Sequence, residues 1–183
     1  MRLFFILSES NMPRRNKTTE ALLVLVVQNY KMMDVGRRKD LMNDSVKWLQ
    51  QHLMQIYDRN PYVKLLDMQI VSIAEGHVKM DMPVAADKHA NLYGAAHGGS
   101  LASLADTVMG VACASCGKRV VTIEMNINYL KGVAAGSTVL AEGKVIHNGR
   151  QTIVVEADLF DGQGNLAAKS RGTFCVIGRF EHE

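Results

Sequence analysis

The sequence predicts an α+β fold in which one antiparallel sheet curls around a single central helix. The spacing of apolar residues changes from three and four to two after Pro61. The alternating segments beyond that point are interrupted once, by a long helical pattern from Gly98 to Ser115. Fourteen of the fifteen glycines lie at or beyond Gly76, as expected where a helical or irregular lead-in gives way to hairpins and turns.

Taken in order, the first forty residues show no sustained periodicity, are rich in methionine and contain the patch Arg37-Arg38-Lys39. They read as an N-terminal extension (1–40), disordered or loosely helical, or not part of the natural product. The folded domain is then 41–183. From Asp44 to Tyr57, Val46, Leu49, Leu53 and Ile56 recur at helical spacing, with Asp44 as the expected N-cap. Asn60-Pro61 ends that helix, because a residue before proline is pushed out of the helical region. Met68 and Ile70 then alternate with Gln69 and Val71, Glu75-Gly76 turns the chain, and Val78, Met80, Met82 and Val84 alternate with polar neighbours. This predicts a hairpin with one buried face.

The Gly98–Ser115 helix carries a stripe of Leu101, Leu104, Ala105, Val108, Val111 and Ala112, and Gly117 stands at its expected C′ position. Val121, Ile123, Met125, Ile127 and Tyr129 alternate strictly. The segments 138–147 and 151–160 flank Asn148-Gly149, a strong hairpin signal, and Asp161-Gly162-Gln163-Gly164 turns into 166–177. The sheet therefore has five or six strands, and its inner face buries the helix stripe.

Composition excludes several classes. A chain of 183 residues, 48% apolar and 21% charged, suits one ordinary globular domain. The net charge is +3, and its basic excess sits in residues 1–60, which hold ten Lys/Arg against six Asp/Glu. Nothing resembles the concentrated basic face of a nucleic-acid binder. Three cysteines (113, 116, 175) without a secretory signal indicate a reducing, cytoplasmic setting. The longest apolar run, Ala21–Val27, is far short of a membrane span. Cys113 and Cys116 have redox spacing but lie near a helix C-terminus, where the dipole disfavours thiolate, so they read as small buried thiols. The histidines show no metal-ligand spacing, and no metal is expected.

The chemistry concentrates in Asn91-Leu92-Tyr93-Gly94-Ala95-Ala96-His97-Gly98-Gly99 and in Asp106. A helix that begins at two glycines offers unpaired N–H groups, close ligand approach and a positive dipole end. Those features can hold a carbonyl oxygen as it becomes an oxyanion. Taken alone, the glycines are a moderate signal, since they are also compatible with relief of crowding at a loop–helix junction. Asp106 sharpens the case: a carboxylate amid small and apolar residues is costly unless paired or used. Eight residues separate Gly98 from Asp106, about 12 Å of helix axis. If the two act on one carbonyl, they must come from two chains packed about a two-fold axis.

The pattern Asn91-x-x-Gly94-x-x-His97-Gly98-Gly99, with Asp106 nine positions after the histidine, resembles the signature of the PaaI-like thioesterases. These belong to the hotdog superfamily, alongside the Arthrobacter-type hydroxybenzoyl-CoA thioesterase. The resemblance runs from about Asn60 to Ile177 and includes the strand Thr122–Leu130 and the Gly149-Arg150 hairpin. It implies a hotdog fold and hydrolysis of an aryl-acyl or medium-chain acyl-CoA, without a cofactor, in a homodimer or homotetramer.

The resemblance also implies roles. Gly98 N–H would polarise the thioester carbonyl, and Asp106 of the partner chain would act as nucleophile or general base. Asn91 would position water or thioester, His97 would support the loop, and Thr122 would place a hydroxyl near the water. Apart from the resemblance, Gly99 and Arg150 are the expected substrate contacts; Arg150 and Arg171 carry guanidiniums suited to CoA phosphate, although such arginines are more often simply solvated surface residues. Gly132 stands where relatives often carry proline, which would leave that loop freer. The alternative reading is a non-catalytic acyl-CoA-binding or sensing module, in which Asp106 would be dispensable.

Overall fold

The computed structural model describes residues 44–181 and begins with helix α1 (residues 44–58). The proposed extension 1–40 lies outside the described residues. Asp44, expected as the N-cap, is already helical. Leu53 of α1 is fully buried, and the Gln50 amide donates to the Ile73 carbonyl at 3.0 Å.

Asn60-Pro61 ends α1 as expected and also starts a second short helix, α2 (Pro61–Leu65). Proline at the first helical position loses no bond, because that N–H has no intrahelical partner anyway. The Asn60 Oδ1 accepts from Tyr62 N at 2.9 Å and Val63 N at 3.4 Å, so one residue both stops a helix and caps the next.

Six strands follow around helix α3 (Gly98–Ser115): β1 (Gln69–Ala74), β2 (His77–Pro83), β3 (Lys118–Tyr129), β4 (Thr138–Asn148), β5 (Thr152–Phe160) and β6 (Leu166–Arg179). They form one sheet in the order β1-β2-β4-β5-β6-β3, with every neighbouring pair antiparallel. Val78, Met80 and Met82 of β2 and Ile153, Val155, Ala157 and Leu159 of β5 are fully buried against α3, as the period of two requires. α3 lies close to β4 because Gly143 has no side chain: a Cβ there would stand 2.9 Å from the Val108 carbonyl oxygen. Gly117 ends the helix at φ +74°, the left-handed C′ position. Together these elements make the α+β hotdog architecture.

Two strand details depart from the sequence reading. The β4–β5 hairpin forms, but Asn148 stays in β4 and neither it nor Gly149 has positive φ. The turn is residues 149–151, pinned by Lys118 Nζ, which donates to Asn148 Oδ1 and to the Gly149 carbonyl. The strict alternation of β3 is broken by bulges at Arg119/Val120 and Thr122/Glu124, and Val121 and Ile123 are about half exposed. β3 is an edge strand bonded only to β6, so half of its backbone polar groups have no strand neighbour. Among the described residues no helix is long and apolar enough to cross a membrane.

Candidate active site

One half of the site lies at the N-terminus of α3. His97 is the N-cap, in extended conformation, and its Nδ1 accepts from Gly99 N at 3.1 Å. A neutral His97 therefore carries its proton on Nε2. The His97 carbonyl accepts from Ser100 N at 2.9 Å and Leu101 N at 3.3 Å. Gly98 N–H belongs to the same peptide group as that carbonyl and has no hydrogen-bond partner among the described residues. Two donors on the carbonyl polarise the N–H on its far side, which also points out of the positive helix end. A side chain at Gly98 would meet the Tyr129 ring at 3.2 Å, and Tyr129 Oη donates to the Gly98 carbonyl at 2.8 Å.

Asn91 stands beside this terminus in a narrow loop closed by Asn91 N to Ala95 O (2.7 Å) and His97 N to His89 O (2.7 Å). Its Oδ1 accepts from Tyr93 N at 2.9 Å and Ala95 N at 3.2 Å. Both bonds require the oxygen at that position, so Nδ2 is left as a pure donor with no partner among the described residues. The loop is tied to the 132–137 segment by Ala96 N to Val133 O (2.7 Å) and Ala135 N to Gly94 O (2.9 Å), so the segment after Gly132 is pinned rather than loose.

The second half lies two turns along α3. Asp106 is half-buried, and its Oδ1 accepts from Thr122 Oγ1 of β3 at 2.9 Å. α3 is unbroken from Gly98 to Ser115, so Asp106 stands about 12 Å along the axis from Gly98. The two halves do not converge within one chain. β3 touches both: Thr122 reaches Asp106, and Tyr129 reaches Gly98. Arg150, in the exposed β4–β5 turn, takes no part in either half, and Arg171 lies 3.9 Å from Glu156.

A cavity of about 540 Å³ opens at Asp106, between α1, α2, α3, β3 and β6. Ile56, Val63, Val120 and Phe174 give it apolar walls, and Tyr57 faces it from α1. Burial, then the charges of Cys113 and Asp106, push the Tyr57 phenol up to about 12, so it stays protonated at neutral pH. Burial also pushes the Cys113 thiol up to about 12, the behaviour of an inert buried thiol.

Sequence reasoning did not single out Tyr57 as a site residue, because its position fits a core-facing helix residue equally well. His89, whose spacing suggested no metal site, is a satisfied polar residue of the interior. It is fully buried, with Nδ1 accepting from Ala85 N at 3.1 Å and Nε2 donating to Leu66 O at 3.0 Å. That bond joins the segment after α2 to the loop that leads into α3.

The profile of the thioesterase superfamily matches residues 93–168, which contain the α3 N-terminus, Asp106 and Thr122. The acyl-coenzyme A thioesterase PaaI of Escherichia coli is 35% identical over 131 residues, 72% of this chain and 91% of that protein. Its structure covers 74% of this chain and 96% of its own at a TM-score of 0.68, with 33% identity. A Streptococcus mutans protein solved with acetyl CoA is 37% identical, covering 62% of this chain and 91% of its own, with a TM-score of 0.60. A hypothetical thioesterase from Streptococcus pneumoniae, 32% identical and with a TM-score of 0.59, was solved with an aspartate and, separately, a threonine changed to alanine. Each of those two structures covers 61% of this chain, and 92% and 91% of its own. The two changed residues are sixteen positions apart, as are Asp106 and Thr122. By these likenesses, and by its six-stranded sheet around α3, the chain belongs to the thioesterase superfamily as a PaaI-like member with the hotdog fold.

Proposed function

We propose that the chain hydrolyses acyl-CoA thioesters to a carboxylic acid and CoA, at a site completed by two copies of itself. Superfamily membership makes it a thioester hydrolase, and the acyl-CoA substrate class follows the E. coli relative and the acetyl-CoA-bound S. mutans protein. The carrying observation is the division of the site. A polarised Gly98 N–H, without a partner among the described residues, and a Thr122-held Asp106 carboxylate stand about 12 Å apart on one rigid helix.

The edge position of β3 supports the completion. Its outer edge is twelve residues long and carries exposed Val121, Ile123 and Tyr129, the kind of edge that pairs with another strand. Antiparallel pairing of two β3 strands about a two-fold axis near Met125–Asn126 sets each Thr122 opposite the other chain's Tyr129. Because Thr122 holds Asp106 and Tyr129 holds Gly98, this brings Asp106 toward the partner subunit's Gly98.

At such a site the thioester oxygen lies on Gly98 N–H, and Asn91 Nδ2 donates to water or to the thioester. Asp106, oriented by Thr122, attacks the carbonyl carbon directly or takes a proton from the attacking water. Negative charge that develops on the oxygen meets the N–H and the helix dipole, and collapse breaks the C–S bond; on the water route this gives the acid and CoA, which takes up the proton held by Asp106, and on the direct route CoA leaves as thiolate, is protonated by solvent, and water then hydrolyses the acyl-Asp106 anhydride to the acid and free Asp106. His97 holds Gly99 N–H and so fixes the N-terminal turn. Gly99 keeps the approach open, and Arg150 offers its guanidinium to a CoA phosphate.

The test is CoA release from a panel of acyl-CoA and aryl-CoA thioesters. Asp106→Asn keeps the shape and removes the charge, and should lower turnover roughly a hundredfold or more. Equal turnover in both proteins would remove Asp106 from the mechanism.

A further inference from the structure

Two peptide groups flank Gly98, and between them they carry four polar groups. The His97 carbonyl accepts from Ser100 N at 2.9 Å and Leu101 N at 3.3 Å. The Gly98 carbonyl accepts from Tyr129 Oη at 2.8 Å, and Gly99 N donates to His97 Nδ1 at 3.1 Å. Among the described residues three of the four are thus held, and the fourth is the Gly98 N–H on which the thioester oxygen would lie.

The Gly98–Gly99 peptide is gripped at both ends by side chains from two different elements. His97 comes from the loop before α3, and Tyr129 is the last residue of β3. Neither glycine has a positive φ, so backbone conformation does not demand glycine at either position. Close approach does demand it at Gly98, where a Cβ would stand 3.2 Å from the Tyr129 ring. Two glycines make a loose start to a helix, because no side chain restricts them and the first N–H groups have no intrahelical partner. A donor that serves a developing oxyanion needs direction, since a hydrogen bond weakens steeply as it bends. Tyr129 is 51% exposed at the end of an edge strand, so core packing does not account for its ring.

We infer that Tyr129 is a positioning residue for thioester hydrolysis: its hydroxyl, working against His97, fixes the Gly98–Gly99 peptide and so aims the Gly98 N–H at the reacting carbonyl. The inference rests on the thioesterase reading and adds to it a residue that acts through Gly98. Tyr129 donates to the carbonyl of the peptide whose N–H donates to His97, so each bond polarises that peptide in the sense that strengthens the other. Loss of either leaves the peptide freer to turn about the backbone bonds of Gly98 and Gly99. Phenylalanine would fill the same space against Gly98 and could not donate.

The test compares kcat and KM for wild type, Tyr129→Phe, His97→Ala and the double variant, with the acyl-CoA thioester that wild type turns over fastest. Tyr129→Phe keeps the ring against Gly98, so it should fold with an unchanged melting temperature and an unchanged mass by light scattering. Its kcat should fall about fivefold to twentyfold with KM within about twofold, because aim matters as charge develops on the oxygen. In the His97→Ala background, where the other end of the peptide is already loose, the same substitution should lower kcat by about threefold or less. An unchanged kcat in Tyr129→Phe, a rise in KM alone, or equal factors in the two backgrounds would overturn the assignment and leave the thioesterase standing. A wild type inert toward every thioester would overturn both.

Discussion

At Asn91 one end of the side chain holds the loop and the other is the donor that the proposed mechanism uses. Its Oδ1 is committed to Tyr93 N and Ala95 N, while Nδ2 is unpaired among the described residues. Aspartate keeps the oxygen and replaces the donor, so Asn91→Asp should retain the loop and the melting temperature while turnover falls on the order of tenfold to a hundredfold. Asn91→Ala loses both and should also cost about 1 kcal/mol of stability by denaturant titration. Equal turnover in wild type and Asn91→Asp would show that the donor takes no part. The pattern Asn-x-x-Gly-x-x-His-Gly-Gly was legible in the sequence because each residue has a distinct backbone or hydrogen-bonding task. Tyr57 was not, since a helical tyrosine reads as core until the space beside it is known.

At the level of elements, α3 and the buried strands were readable because their periods of 3.6 and two follow directly from burial on one face. β3 was only half readable. Its alternation predicts one buried face, but edge position and two bulges leave Val121 and Ile123 in the open. α2 was hidden because the Asn-Pro pair was read only as a stop. α1 brings Tyr57 against α3, and this packing has a pH signature. The folded chain holds the Tyr57 proton up to about 12, against about 10 ordinarily, and the Cys113 proton up to about 12, against about 9. The unfolded chain releases both earlier, so above pH 9 it binds fewer protons than the folded chain and stability falls as pH rises. Urea midpoints should be level with respect to these two groups below about pH 9 and decline toward pH 12, with a shallower decline in Tyr57→Phe. Equal slopes in the two proteins would mean that Tyr57 is not buried as described.

For the whole molecule, the account requires that one chain is not an enzyme. The separation of Gly98 from Asp106 follows from residue count and helix rise alone, which is why it could be read before any coordinates. The placement of β3 at the sheet edge, touching both halves, could not, because strand order depends on long-range pairing that local patterns leave open. The measurement that tests this most directly is complementation between two impaired chains, Asp106→Asn and Asn91→Asp, unfolded together and refolded as a mixture. In a mixed dimer one site joins the two damaged halves and the other joins an intact Asp106 to an intact Asn91. The mixture should therefore regain a substantial fraction of wild-type CoA release, about a quarter if chains pair at random with one live site in each mixed dimer. A mixture that forms mixed dimers and shows no more activity than the mean of its parents would contradict the shared site.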